Sequence, residues 1–559
     1  MRKRNQLWSL LTLLTVLAMI IGACTSQPGQ QAQSTQDADP NGTITTNTGA
    51  EPDDIDPQKE SFTNEIGVSQ LVFEALLSLD PKTLKPIPGA AKELPKVSAD
   101  GLKYTYTLRD GLKYSDGQPL TMKNFEYAWK RVCDPTVAGE YQAFAFIVSG
   151  CEAYSGLDPK KASKSDLDAA RAKVGVKAID DKTLEFTLTE PAAYFIPLTS
   201  IWISDPVRED LVTKGGDKWT EPATYIGNGP FKLAEWKHNE KLVFERNDNF
   251  REKVGLKRWT KVMINEGAVA FAAYRNNELD TVGFSAEDLR TIDADPELKA
   301  NRINVGGACN IYFGTNMTKP PFSDINVRQA FSKAVDREDY VKNVAGGLAK
   351  AANGGFIPPG FPGYDDKDDA QKYDPAAAKA LLAKASPEAQ AALKSLKISY
   401  SSSARNKTRA EWQQQQYKTN LGLDVGLDPV DSSALSKLLK KRDTTPSLYR
   451  LGWCSDYPDQ QDWLTAVFKG NSSVGSTGYA SKEFDDLVSK ADKETDPKKR
   501  DDLYNQASKI LSKDAPATWV YYSISDYLRK PWLKNVEDSS QDPEGATTYT
   551  AYKIYVTKH

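Results

Sequence analysis

In "SLYRLGWCSDYPDQQDWL", residues 447–464, an arginine, a tryptophan, a cysteine and an aspartate fall within seven positions, Arg450 to Asp456. A guanidinium, a thiol and a carboxylate this close admit three chemistries. They form a nucleophile with charged neighbours, a disulfide anchor in a core strand, or the lining of a binding cleft. The run alternates side chains that would share one surface with small ones, Gly452 above all, that would let another backbone approach.

Little else in the chain offers acid–base or nucleophilic catalysis. There are two histidines, His238 inside "EWKHNEKLVFE" and the C-terminal His559. A Ser-His-Asp triad or a multi-histidine zinc site therefore has almost no material, which argues against a hydrolase. The adjacent acids Asp485 and Asp486 sit on a polar helix face and read as solvated. "GNGPFKL" (227–233) is glycine-rich but lacks the Lys-Ser/Thr of a phosphate-cradling loop, and reads as a tight turn into a strand carrying Phe231 and Leu233. The densest basic cluster, Lys440-Lys441-Arg442, reads as a solvated helix end. With 72 Lys and Arg against 75 Asp and Glu, interspersed, nothing marks a nucleic-acid footprint.

The elements that must carry these residues are mixed. "KYTYTLRDG" (103–111), "KTLEFTLTEP" (182–191) and "KLVFERN" (241–247) alternate apolar and polar residues as strands do. Asp324 can cap a helix whose apolar stripe is Val327, Ala330, Phe331, Ala334 and Val335. "TMKNFEYAWKRV" carries a similar stripe through Phe125, Ala128, Trp129 and Val132. Two amphipathic helices, "SKEFDDLVSKAD" and "PKKRDDLYNQASKILSK", precede the apolar strand "ATWVYYSI". The reading is an α/β chain of several domains, too long for one core.

The N-terminus is an export signal. Arg2, Lys3 and Arg4 precede an apolar run, Leu7 to Ile21, too short for a comfortable permanent membrane span. It ends Ile21-Gly22-Ala23-Cys24, similar to a bacterial lipobox, so residues 1–23 are expected to be removed and Cys24 lipidated. A plain secretory signal is the alternative. Residues 24–41, rich in Gln, Ser, Thr and Pro, are expected to form a flexible tether. Beyond Cys24 four cysteines remain, Cys133, Cys151, Cys309 and Cys454, which admit three pairings in an oxidising compartment. The short separation of Cys133 and Cys151 favours their union, which leaves Cys309 for Cys454.

The order of segments resembles the bacterial extracellular solute-binding proteins of the peptide/nickel family, and within it the oligopeptide-binding proteins of ABC importers. The resemblance runs through "EPDDIDPQ", "LKYTYTLRDGLKYSDGQPLTMKNFEYAWKR", "IGNGPFKLAEWKHNEKLVFERNDNF", "PPFSDINVRQAFSKAVDRE", "LGWCSDYPD" and "YLRKPWLKNV", and covers essentially everything from Asn41 onward. It implies the bilobed periplasmic-binding-protein fold, type II in its large three-domain variant, with mixed sheets and a hinge between lobes. Domain I would comprise 42–80, 205–308 and 525–559, domain II 81–204, and domain III 309–524.

The resemblance also implies roles. Gly452, Trp453, Cys454, Asp456 and Tyr457 match the strand that lines the ligand cleft, with Asp456 holding a peptide's N-terminal ammonium. Arg450 matches an arginine that meets the carboxylate of a short peptide, and Lys441 would serve a longer one. Cys309 matches the family's other cysteine-containing strand, so it would bond Cys454. Glu51 falls where the first strand runs beside the peptide, and Phe144 stands near a family tyrosine, so a hydroxyl is lost there. The expected partners are an oligopeptide, the permease subunits of an ABC transporter, and a membrane through the lipid on Cys24. Binding needs no cofactor, no nucleic acid is involved, and the protein is expected to act as a monomer. Other solutes of the family (a dipeptide, an oligosaccharide or a metal chelate), a secreted hydrolase and a ligand-presenting sensor are the competing readings.

Overall fold

Strands and helices alternate along the chain, and the computed structural model, which describes residues 38–439, 441–470, 476–541, 545–546 and 548–558, assembles them into a bilobed α/β architecture. One four-stranded sheet orders Thr43–Asn47, Arg258–Val262, Lys241–Arg246 and Phe231–Lys237. A second orders Lys96–Val97, Lys103–Thr107, Thr183–Thr187 and Val176–Ala178. The largest sheet has seven strands, with the path Thr281–Gly283, Ala517–Arg529, Arg302–Thr315, Leu448–Cys454, Lys397–Ser401 and Gly426–Val430, and Ala349–Ala351 on the outer part of Ala517–Arg529.

Alternation explains why this large sheet holds together. Successive residues of a strand face opposite ways. Tyr312 and Trp519 accordingly enter a core with Phe356, Trp463 and Phe468, while Phe313 and Val520 enter another with Phe331 and Tyr417. The sheet is thus buried on both faces, and the apolar density of "ATWVYYSI" follows from that. The smaller sheets cover their own cores, around Trp129, Phe186 and Phe195 in one case and Phe231, Phe244 and Trp259 in the other.

Local chemistry sets the element ends. Asp324 accepts a hydrogen bond from the Asn326 amide at 2.8 Å and starts helix Ile325–Lys333, which buries Val327, Ala330 and Phe331. In "GNGPFKL" a Cβ on Gly227 would stand 2.0 Å from the Val72 carbonyl oxygen, so only glycine lets the two backbones meet before strand Phe231–Lys237.

Both disulfides are formed, Cys133–Cys151 and Cys309–Cys454. The first brackets the 3₁₀ helix Glu140–Ile147, and the second joins two neighbouring strands of the seven-stranded sheet. Cys24 and the expected export signal lie outside the described residues. The tether ends earlier than its composition suggested. Ala38 already bridges Thr557, and the Asp39 amide donates to the Val556 carbonyl at 2.7 Å, because the C-terminal strand offers these polar residues backbone partners. No helix among the described residues is long and apolar enough to cross a membrane.

Candidate functional site

The edge of one strand defines the site. Leu448–Cys454 pairs antiparallel with Arg302–Thr315 over its whole length, Leu448↔Thr315 to Cys454↔Cys309. On its other side only Leu448 and Tyr449 are paired, with Ile398 and Ser399. Cys309 and Cys454 have their Cα atoms 3.9 Å apart, the close spacing of a pair that exchanges no backbone hydrogen bonds. With period two, Gly452 and Cys454 therefore turn their N–H and C=O groups away from Arg302–Thr315 and toward the unpaired edge, as Arg450 does with its C=O. An open row of this kind is a template for one more strand.

At the end of that row stands Asp456. Its Oδ1 accepts from the Tyr141 hydroxyl at 3.2 Å, while its Oδ2 is buried without a hydrogen-bond partner among the described residues. A second carboxylate adjoins it. Asp462, fully buried in the first turn of helix Gln460–Phe468, accepts from the Asp456 amide at 3.3 Å and from the Trp453 indole at 3.4 Å, and its Oδ1 is also unpartnered. Burial pushes Asp456 up to about 7 despite the opposing Tyr141 hydroxyl. Burial and the neighbouring Asp456 raise Asp462 well above the usual carboxylate range. Two such carboxylates with orphaned oxygens are costly unless a cation joins them, and an ammonium supplies both charge and donors.

The walls around Asp456 line a cavity of about 120 Å³ that includes Ile66, Gln70, Trp202, Cys309, Cys454 and Tyr549. Thr63 lines both this cavity and a larger one of about 1160 Å³ whose lining includes Arg405, Arg409 and Arg450 as well as Glu266, Glu287 and Asp288. The open strand edge thus runs from a buried acid at one end to basic side chains at the other. Arg450 donates to the Tyr521 hydroxyl at 3.2 Å. Burial would raise Tyr521, but the guanidiniums of Arg450 and Arg409 pull it below its usual range. The pair of guanidiniums beside Tyr521 is suited to a carboxylate, although Glu266, Glu287 and Asp288 line the same cavity.

Each residue singled out by sequence has a definite place. Trp453 is buried in the core of its lobe, and Tyr457 is fully buried, its hydroxyl donating to the Gln461 side chain in the following helix. Cys454 is consumed in the disulfide and lines the cavity with Cys309. The space over Gly452 is taken by Ile311, whose Cδ1 a Cβ at 452 would approach to 2.4 Å. Glu51 turns to the hairpin beyond Phe231–Lys237, accepting from Trp236 Nε1 at 3.0 Å and the Asn239 amide at 2.7 Å, with His238 Nδ1 at 2.7 Å. The residues just before it, Asn47 to Gly49, line the larger cavity instead. Lys441 is exposed in the turn after its helix, where its carbonyl accepts from the Thr444 and Thr445 amides, and it lines neither cavity.

Phe144 stacks on Tyr141 with ring centroids 4.9 Å apart and meets the Tyr457 ring at 6.2 Å. The hydroxyl missing at Phe144 is present one helical turn earlier, on Tyr141. The Cys133–Cys151 disulfide closes the two flanks of the helix that carries both rings, and the Gln142 side chain adds a bond to the Val132 carbonyl at 2.9 Å. Tyr141 and Arg409 are thus brought to the site although their sequence surroundings carry no motif, and Asp462, inside the stretch 447–464, joins them. Among the described residues no group of three or more His, Cys, Asp or Glu side chains is arranged to hold a metal ion.

Residues 85–475 match the family model described as bacterial extracellular solute-binding proteins, family 5 Middle. The chain is 30% identical to the oligopeptide-binding protein OppA of Bacillus subtilis over 96% of this chain and 97% of that protein. It is 32% identical to the dipeptide-binding protein DppE of the same organism over 96% and 97%. The solved structure of the Escherichia coli murein tripeptide binding protein MppA superposes with a TM-score of 0.81 at 27% identity, covering 94% of this chain and all of that one.

Proposed function

Since the chain belongs to family 5 of the bacterial extracellular solute-binding proteins, we propose that it is the extracytoplasmic, lipid-anchored receptor of an ABC importer that captures oligopeptides between its lobes and delivers them to the permease. The observation that carries this reading is the buried, unpartnered Oδ2 of Asp456 at the end of an unpaired strand edge. A peptide's α-ammonium completes Asp456, its backbone pairs with Arg450, Gly452 and Cys454, and its carboxylate lies toward Arg450 and Arg409. Recognition then rests on groups every peptide has, which supports a broad range of sequences.

The three-domain division (42–80 with 205–308 and 525–559; 81–204; 309–524) fits this mode. Tyr141 from the second segment meets Asp456 from the third, so closing the lobes both shields the ammonium site and completes its hydrogen bonding. The long paired strands Arg302–Thr315 and Ala517–Arg529 would serve as the hinge. The anchor would be the lipid on Cys24. The protein catalyses no reaction, and transport energy comes from the ATP-hydrolysing subunits of the importer.

The test is mass spectrometry of small molecules released by denaturing the purified protein. Peptides with free N-termini are the expected result. Recovery of only saccharides or a metal chelate would overturn the peptide assignment.

A further inference from the structure

The two disulfides differ in their access to water. Cys133 and Cys151 are both 0% exposed, inside the core around Trp129. Cys454 is exposed and Cys309 half-buried, and both line the cavity at Asp456, opposite Ile66 and Trp202. The Cys309–Cys454 bond therefore faces the cleft, while the other faces only packed side chains. A thiolate can reach an exposed disulfide and cannot reach a buried one.

Position adds to access. Cys454 ends the open strand edge two residues before Asp456, so a peptide paired with that edge and held by Asp456 would cover the bond. The backbone around the bond has other ties. The Ser455 amide donates to the Ala308 carbonyl at 2.9 Å, and the Cys309 amide to Ser523 Oγ at 3.0 Å. The Ser455 carbonyl accepts from Gln541 Nε2 at 3.0 Å. Opening the bond thus leaves the sheet paired and loosens only the strand end that carries Asp456.

We propose that Cys309–Cys454 is a thiol–disulfide exchange site open to low-molecular-weight thiols, shielded by a bound peptide, and that its reduction weakens peptide capture. The shielding rests on the peptide reading above; the access in the free protein does not. A thiolate attacks Sγ of Cys454, the S–S bond breaks, and its electron pair leaves on Cys309 Sγ, which takes up a proton. A second thiolate attacks the small-molecule sulfur of the mixed disulfide and releases Cys454, which is protonated in turn. Two small thiols are oxidised to their disulfide and the two cysteines are reduced.

The test treats the native protein with 2-mercaptoethanol, traps free thiols with iodoacetamide and maps them by mass spectrometry. Cys309 and Cys454 should be labelled at least about tenfold faster than Cys133 and Cys151. A tetrapeptide at about a hundred times its Kd should slow that labelling roughly a hundredfold, since only the free fraction reacts. Protein reduced at this bond and left unalkylated should bind the tetrapeptide at least about threefold more weakly in calorimetry, and reoxidation should restore the affinity. Equal labelling of the two pairs, an unchanged rate with peptide bound, or equal affinity of the oxidised and reduced forms would each overturn the proposal. If calorimetry finds no tetrapeptide bound to the oxidised protein, the peptide reading falls together with the shielding, while selective reduction of the free protein still decides the exchange site.

Discussion

Replacing Asp456 by asparagine keeps the shape of the side chain and an oxygen to accept the Tyr141 hydroxyl, but removes the charge that an ammonium would meet. At about 3 Å and an effective dielectric constant near 20, the lost attraction is roughly 5 kcal/mol. Part of it is offset because the free protein no longer holds a carboxylate in a place where burial opposes ionisation. Truncating one partner of a buried charge pair typically costs about 2–5 kcal/mol, so the affinity for a free-amine tetrapeptide should fall roughly 30-fold to several thousand-fold. The assay is isothermal calorimetry in a double cycle, with parent and Asp456→Asn against the free and the N-acetylated peptide. Acetylation should weaken binding strongly in the parent and little in the variant, a coupling of at least about 2 kcal/mol. If acetylation costs the same in both proteins, the ammonium does not meet Asp456 and the reasoning fails.

The pH dependence follows from the same group. An ammonium pairs with the ionised form, so affinity should weaken about tenfold per pH unit below about 7, where free Asp456 takes up its proton, and binding at pH 6 should release protons to the buffer. Above about pH 8 the peptide's own amine loses its charge and affinity should fall again; a flat profile from pH 5 to 7 in calorimetry would contradict this. Tyr141→Phe removes the hydroxyl that opposes the rise of Asp456, so its profile should move to higher pH with roughly a 3- to 30-fold loss at pH 7. An unmoved profile would assign Tyr141 to packing alone. The double variant Cys309→Ser with Cys454→Ser opens a loop with a sequence separation of 145, worth up to about 5 kcal/mol in the chain-entropy model. Urea unfolding should find the variant much less stable than the oxidised parent, and equal midpoints would show that the bond contributes nothing.

Much of the fold was legible because it rests on local patterns. The alternation in "KYTYTLRDG" and the stripe after Asp324 mark Lys103–Thr107 and Ile325–Lys333 without reference to the rest of the chain. The strand Leu448–Cys454 stood out for another reason, since several of its unusual residues are contiguous. What sequence did not disclose are residues whose relevance comes from tertiary contact. Tyr141 and Asp456 lie 315 residues apart and meet in the folded chain, where Cys133–Cys151 brackets the one helix and Cys309–Cys454 ends the facing strand. Asp462 looks like an ordinary acid in a helix's first turn, and only its burial beside Asp456 makes it part of the site. Glu51 illustrates the converse. Its position beside the first strand suggested the cleft, yet Trp236, His238 and the Asn239 amide attract its carboxylate to the hairpin. Gly452 is needed on two counts, since its backbone faces the open edge while Ile311 fills the space a side chain would occupy.

The most direct measurement is a crystal structure with a tetrapeptide bound. The α-ammonium should lie within hydrogen-bonding distance of Asp456 Oδ2, and the peptide backbone should pair antiparallel with Arg450, Gly452 and Cys454 so that its carboxylate points toward Arg450 and Arg409. A peptide running the opposite way, or one held without pairing to that edge, would contradict this mode of capture.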